Sequence, residues 1–332
     1  MIREIRGNFS TMGLTSLPKE VIGLVLEYLS GDDLTSLATV MPAYYLGIIN
    51  HKLYKNVIIT NSNRTAYQDV KGTPFDLAKF ETRLADGGFE VILPNRIVFL
   101  FVRPATDYTN YIDCIDRFGD LVSTYQEYMS RIPQVYVHIN GNLLAMENPV
   151  SILSMIITNL INLSKLMAPN LFHLSIQNTE ISSMYMDQWG KLFQNFKNLV
   201  ELNLSGNTIG YHTAATADVL GTFSFPESLQ VLILDNNLVK FISQDFIGAL
   251  PKSIHTLSFN NNNIIQVDLP GLNDTLPNLH RLCLNNNLLI YANANNFTAK
   301  DFTLEIKHTN VDELILTKLH NQATKHGFTI VH

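Results

Sequence analysis

Apolar residues recur at fixed spacing through the second half of the chain. The segments "LFHLSIQNTEI" (171–181), "LVELNLSGNTI" (199–209), "LQVLILDNNLV" (229–239), "IHTLSFNNNNI" (254–264) and "LHRLCLNNNLL" (279–289) align without gaps. Aliphatic or aromatic residues occupy positions 1, 4, 6 and 11 of each. Positions 4 and 6 are two residues apart, so on a short strand they face the same side, toward a core. Positions 1 and 11 close the turns before and after it. Position 9 is Asn207, Asn237, Asn262 and Asn287 in the last four units and Thr179 in the first. A buried asparagine both donates and accepts. It therefore satisfies backbone groups of the adjoining turn that would otherwise be costly orphans, and stacked units predict a ladder of asparagines. Unit starts lie 28, 30, 25 and 25 residues apart, enough for a return arm. "SMYMDQWGKLFQNF" (183–196) predicts such an arm as a helix, with Met186, Leu192, Phe193 and Phe196 inward and Trp189 packed beside them.

Five units in register resemble the leucine-rich-repeat family. The resemblance implies an α/β fold, a horseshoe-like solenoid with parallel strands on its concave side. "DFTLEIKHTNV" (301–311) continues the frame, with Leu304 and Ile306 at the strand positions. A helix with Val311, Leu314, Ile315 and Leu319 follows, Gly327 stops it, and "FTIV" is the closing strand. Upstream, "KNVIIT", "RIVFLFV" and "IPQVYVHINGN" predict strands separated by helical patterns, as longer and degenerate repeats. The expected divisions are a helical unit at 12–55, degenerate repeats at 56–170, regular repeats at 171–300 and a terminal repeat with its cap at 301–332.

The stretch "LPKEVIGLVLEYL" (17–29) is too apolar for a helix with one neighbour. Val21, Ile22, Leu24, Val25, Leu26, Tyr28 and Leu29 spread over an arc of roughly 200°, whereas one core needs a stripe of about 100° or somewhat more. Pro18 suits the first turn. A second helix follows Asp32 or Asp33 as cap, with Leu34, Leu37, Ala38 and Met41 at helical spacing, and a third carries Tyr45, Ile48 and Ile49. The segment "LTSLPKEVIGLVLEYLSGDDLTSLATV" (14–40) resembles an F-box. With the repeats behind it, the chain is similar to fungal-type F-box/leucine-rich-repeat proteins. That resemblance implies docking to the Skp adaptor of a Skp–cullin–F-box (SCF) ubiquitin ligase through Leu17, Pro18, Val21, Val25 and Leu29, with Leu34, Leu37 and Val40 completing the unit. The chain departs from the family after Val40, reading Met41-Pro42-Ala43-Tyr44-Tyr45 where a Cys-basic-x-Trp stretch is common. On spacing alone, the three helices are also readable as a cap on the solenoid's end, and capping and docking can coexist.

Composition narrows the function. A net charge of −6 with no basic stripe disfavours nucleic acid. No apolar run approaches the ~20 residues of a membrane span, no signal peptide is visible, and two distant cysteines make neither a disulfide framework nor a zinc site. The expected compartment is therefore cytoplasmic or nuclear. No catalytic constellation or cofactor motif emerges, so no cofactor, no metal and no enzyme activity are expected. Strand positions 3, 5, 7 and 8 should point away from the core. They give a polar, nearly neutral concave face around an apolar patch at Val231 and Ile233, with Asn203 beside it and Glu201, Asp235 and Arg281 at its rim. That face lacks the arginine cluster of a phospho-motif reader. The expectation is a non-catalytic substrate-recognition subunit: the F-box holds the Skp adaptor, and through it a cullin, while the concave face binds a protein substrate for ubiquitination. The alternatives are a scaffold assembling a Skp-containing complex without degradation, or a plain repeat module whose helices only cap the solenoid.

Overall fold

The computed structural model describes residues 17–29, 31–40, 43–61, 72–85, 93–103, 109–141, 149–167, 170–179, 181, 189, 192–210, 223–294, 297 and 301–332. Three helices come first, α1 (Lys19–Leu26), α2 (Gly31–Val40) and α3 (Ala43–Tyr54). There follow β1 (Asn56–Thr60), β2 (Thr73–Phe75), α4 (Leu77–Ala85), β3 (Arg96–Val102), α5 (Thr109–Thr124), α6 (Gln126–Ser130), β4 (Gln134–Asn140), α7 (Pro149–Met167) and β5 (Leu171–Gln177). The regular part carries β6 (Glu201–Asn203), β7 (Val231–Ile233), α8 (Gln244–Ala249), β8 (Thr256–Ser258), β9 (Gln266–Asp268), α9 (Pro270–Thr275), β10 (Arg281–Cys283) and β11 (Tyr291–Asn293). The chain closes with β12 (Thr303–Glu305), α10 (Glu313–His326) and β13 (Thr329–Val331).

Eleven strands form one parallel sheet in the order β13-β12-β10-β8-β7-β6-β5-β4-β3-β1-β2, and β9 pairs with β11 in a second, smaller one. Apart from β2, which pairs outside β1, the strands follow chain order. This one-strand-per-unit stacking is the leucine-rich-repeat solenoid. Leu202, Leu232, Leu257, Leu282 and Leu304, all at position 4, are buried in register along it. The upstream strands join the same sheet without a break. Pro74 stands in the edge strand β2, where the missing N–H blunts further pairing.

Position 9 is the internal staple. Asn207, Asn237, Asn262 and Asn287 are all buried. The Oδ1 of Asn237 accepts from Ile209 N at 3.1 Å, that of Asn262 from Val239 N at 3.0 Å, and that of Asn287 from Ile264 N at 3.0 Å. Each Nδ2 donates to carbonyls of its own and the preceding unit, as Asn262 does to Phe259 and Leu234. Thr179, in the first unit, sits within the same network, its N–H and hydroxyl donating to Asn207 Oδ1.

Position 8 differs from the sequence expectation. It is not a strand position facing outward but a left-handed turn in every unit: Asn178 (φ 53°), Gly206 (φ 69°), Asn236 (φ 55°), Asn261 (φ 55°), Asn286 (φ 57°) and His308 (φ 54°). The chain must turn sharply out of the sheet there, and asparagine and glycine tolerate that conformation better than other residues.

The return arms fill the convex side. Trp189, Leu192, Phe193 and Phe196 are buried in the main core, while Met186 lies outside the described residues. Helices α5 and α7 pack closely at Gly119, where any Cβ would run into the buried side chain of Asn159. Asn159 in turn donates to the carbonyl of Ile115. At the far end, Asp312 caps α10 through Leu314 N at 2.6 Å, and Gly327 ends it in the left-handed conformation (φ 81°).

Candidate functional site

Strand register places two rows of side chains across the concave face. One runs Ile58, Val98, Tyr136, His173, Glu201, Val231, Thr256, Arg281 and Thr303. The other runs Thr60, Leu100, His138, Ser175, Asn203, Ile233, Ser258, Cys283 and Glu305. The rows change character along the sheet. Ile58, Val98 and Leu100 are buried in an apolar cluster of their own, with Val102 and Tyr136 packed against it. The accessible surface therefore begins at β4.

At β4 and β5 the face is aromatic. Tyr136 and His173 have ring centroids 4.1 Å apart, and the Arg96 guanidinium lies over the Tyr136 ring at 5.4 Å. His173 Nδ1 stands 3.3 Å from Glu201. His138 is pressed into the row beside Leu100, and burial pulls its pKa down to about 4, so it is neutral at physiological pH. Val231 and Ile233 follow as half-buried apolar neighbours. The sequence reading of this face began at residue 171 and missed Arg96, Tyr136 and His138. Their signal was present in "QVYVHIN", where the inward residues Val135, Val137 and Ile139 alternate with Tyr136 and His138.

Two predicted rim residues prove to be engaged within the chain. Asp235 Oδ1 accepts from Ser258 Oγ at 2.6 Å and Asn260 N at 2.8 Å. Asn260 Oδ1 accepts from Asn285 N, and Asn285 Oδ1 from Lys307 N. Position 7 is thus a second side-chain ladder that extends the sheet's hydrogen bonding. Arg281 Nε donates to Glu305 Oε1 at 2.7 Å; burial pushes the Glu305 carboxyl up, but the bonds from Asn285 and Arg281 outweigh it and hold the group below its ordinary range. Asn203 Oδ1 accepts from Ser205 N and Ser205 Oγ. Of the predicted set, Val231 and Ile233 are half-buried on this face, and Glu201 stands beside His173.

The N-terminal helices build a separate small core from Ile22, Leu26, Leu34, Ile49 and Leu53, against which Leu17, Leu29 and Leu37 pack. Leu34 is therefore interior rather than partner-facing, and Leu17, Leu29 and Leu37 are partly committed to the bundle. Pro18, Val21 and Val40 are exposed and Val25 is half-buried. Leu24 and Tyr28 join them on the outer surface, Tyr28 being 87% exposed. The opening helix has its two apolar sides, one on the bundle and one toward solvent. α2 ends at Val40 and α3 begins at Ala43; Met41 and Pro42 lie outside the described residues.

Neither cysteine is activated as a nucleophile. Burial pushes the Cys114 thiol up to about 11 and that of Cys283 upward as well, so both are protonated at neutral pH. A cleft of about 500 Å³ opens beside β1, α4 and α5. Its polar groups have structural partners: Asp76 caps α4 through Lys79 N, Arg117 pairs with Glu81, and Cys114 Sγ donates to Asn110 Oδ1. Among the described residues no three His, Cys, Asp or Glu side chains are grouped to hold a metal, and no helix is long and apolar enough to cross a membrane.

No family model matches the chain, and no curated protein matches it. Among solved structures, an internalin C2 from Listeria monocytogenes is similar over 62% of this chain and 74% of its own, at 16% identity and a TM-score of 0.36. An internalin (inlF) from the same species is similar over 94% of this chain and 93% of its own, at 13% identity and a TM-score of 0.42. The fold rests on the strand order, the register and the asparagine ladder of this chain itself: it is a leucine-rich-repeat solenoid.

Proposed function

We propose that this protein is a non-catalytic binding protein whose concave face, from β4 to β8, takes a protein ligand. The observation that carries the reading is a pair of adjacent rows on the parallel sheet, Tyr136, His173, Glu201 and Val231 in one and His138 and Ile233 in the other. It offers aromatic and aliphatic anchors at the centre, which is where binding energy concentrates, beside Glu201 and small polar groups. Quantitative co-purification from cells, with full-length wild type against Ile233→Asp and against Ile161→Asp on the convex side, tests it. A defined set of proteins should be lost with Ile233→Asp alone. Identical sets from all three proteins would refute it.

A second reading adds to the first: the N-terminal helices dock on a Skp adaptor, making the protein a substrate-recognition subunit of an SCF ubiquitin ligase. The supporting observation is the outer face of the bundle, where Val21, Leu24, Tyr28 and Val40 stay exposed although Ile22 and Leu26 already supply a core. A pure cap would present a polar outer face. Co-expression with a Skp adaptor should yield a complex with wild type and none with Leu24→Asp/Tyr28→Asp, whose circular dichroism should be unchanged. Wild type that forms no complex would leave a repeat module outside the ligase.

A further inference from the structure

The described chain exposes eleven large apolar side chains, and ten of them fall into two groups. Four form the outer face of the N-terminal helices. The other six, Phe241, Ile265, Leu288, Ile290, Tyr291 and Leu314, lie in the C-terminal units and none belongs to the concave rows. They follow the asparagine ladder, on the flank where the chain leaves the sheet. Position 12 of successive units is Lys240, Ile265 and Ile290; position 13 is Phe241, Gln266 and Tyr291. The last two of these units are stacked there in register, Ile290 N donating to Ile265 O at 2.9 Å and Gln266 pairing with Tyr291, and the preceding pair is joined just before it by Asn263 N donating to Val239 O at 3.0 Å. Leu314 extends the row from the first turn of α10, which packs beside β11.

From these observations we infer that this flank is a docking stripe for a basic amphipathic α-helix of a protein partner. Three features select that occupant. First, the rungs of the stripe repeat at the strand spacing of about 4.8 Å, and a helix laid along the solenoid axis presents one apolar side chain per turn of 5.4 Å. Over three rungs the mismatch stays within the reach of a side chain. Second, the six residues are 37–62% exposed; at roughly 150–200 Å² for each whole side chain they leave on the order of 500–600 Å² of apolar surface. That is short of the ~800 Å² per partner of a stable dimer and suits one helix face. Third, among the described residues the exposed charges within four positions of these six along the chain are Asp245, Asp268, Asp312 and Glu313 against Lys240 and Lys318. The acidic excess, on a chain of net charge −6, favours a cationic partner.

The test uses the full chain and a fluorescein-labelled 18-residue helical peptide of leucine and lysine, with leucines on one face. Its controls are a scrambled isomer of the same composition and a leucine/glutamate version. Fluorescence anisotropy should show the helical leucine/lysine peptide binding at least tenfold more tightly than either control. The double substitution Ile265→Glu/Ile290→Glu should weaken that binding at least tenfold, with an unchanged melting curve, while Ile161→Glu should not affect it. Equal affinity for the isomers, insensitivity to the double substitution, or loss upon Leu24→Asp or Ile233→Asp instead would overturn the inference. So would wild type that self-associates in sedimentation experiments through the stripe, which would make a second copy the occupant.

Discussion

Replacing Asn207 should destabilise the solenoid about twice as much as replacing Asn287. Asn207 Oδ1 accepts from two buried backbone donors, Thr179 N at 3.0 Å and Ile181 N at 3.1 Å, as well as from the Thr179 hydroxyl. Its Nδ2 donates to Ile176 O, Leu204 O and Ser205 O. In Asn207→Ala, Leu204 O keeps its bond from Asn237 Nδ2 and Ser205 O keeps its bond from Asn178 N. The two N–H groups lose this acceptor, and each orphaned donor costs about 1–3 kcal/mol. The expected loss is about 3–5 kcal/mol, a large share of the ~5–15 kcal/mol that holds a typical domain folded. In Asn287→Ala only Ile264 N is orphaned in this way, and Phe259 O and Asn285 O keep other donors, so about 1–3 kcal/mol should go. Urea unfolding followed by circular dichroism measures the totals. Because repeats can open locally, hydrogen exchange at the Thr179 and Ile181 amides should localise the first effect. Equal losses for the two variants, or the reverse order, would refute the orphaned-donor reasoning.

Three further outcomes follow from the packing. Gly119→Ala should destabilise by about 1–3 kcal/mol through overpacking against Asn159, and combining it with Asn159→Ala should recover part of that loss in a double-mutant cycle. His138 has a folded pKa near 4, set by burial, below its ordinary ~6.5. As pH falls from 6.5 toward 4 the unfolded chain takes up a proton that the folded chain refuses, so up to about 3 kcal/mol of stability should disappear over that window, and His138→Gln should flatten the dependence in urea titrations at pH 7 and 5. At position 8, Asn236→Gly should be nearly neutral and Asn236→Ala should cost about 1 kcal/mol. Gly206→Ala should cost more, because its Cβ would also meet Asn178 Oδ1, and thermal melts would rank the three.

The solenoid was legible in the sequence because its signal is local and repeated: a two-residue alternation at positions 4 and 6, five times over, fixes both the strand and its inward side. The left-handed residue at position 8 was mistaken for an outward strand position, although Asn178, Gly206, Asn236, Asn261 and Asn286 carry its signal, because it stands next to the more conspicuous asparagine at position 9. Of the upstream strands, β3 was readable as a strand and not by face. In "RIVFLFV" both faces are apolar, since Ile97, Phe99 and Phe101 enter the main core while Val98 and Leu100 are buried on the other side. The concave face was legible in position and not in availability. Asp235 and Arg281 are indeed on it, yet their partners Asn260 and Glu305 lie 25 and 24 residues away, and no pattern within one unit reveals a bond to the next. At the N-terminus the double-sided helix was readable from its apolar arc. That Leu34 belongs to the bundle and Leu24 and Tyr28 to the surface needed the packing of α3, through Ile49 and Leu53.

The most direct test of a ligand-holding concave face is site-specific photo-cross-linking of the full chain in cells. A photoreactive amino acid would be placed at Ser175 or Thr256 in the concave rows, or at Ile161 on the convex side. Ser175 and Thr256 should give a common adduct with one protein, absent from Ile161 and reduced by Ile233→Asp. Adducts that appear equally from Ile161, or that are indifferent to Ile233→Asp, would contradict the account.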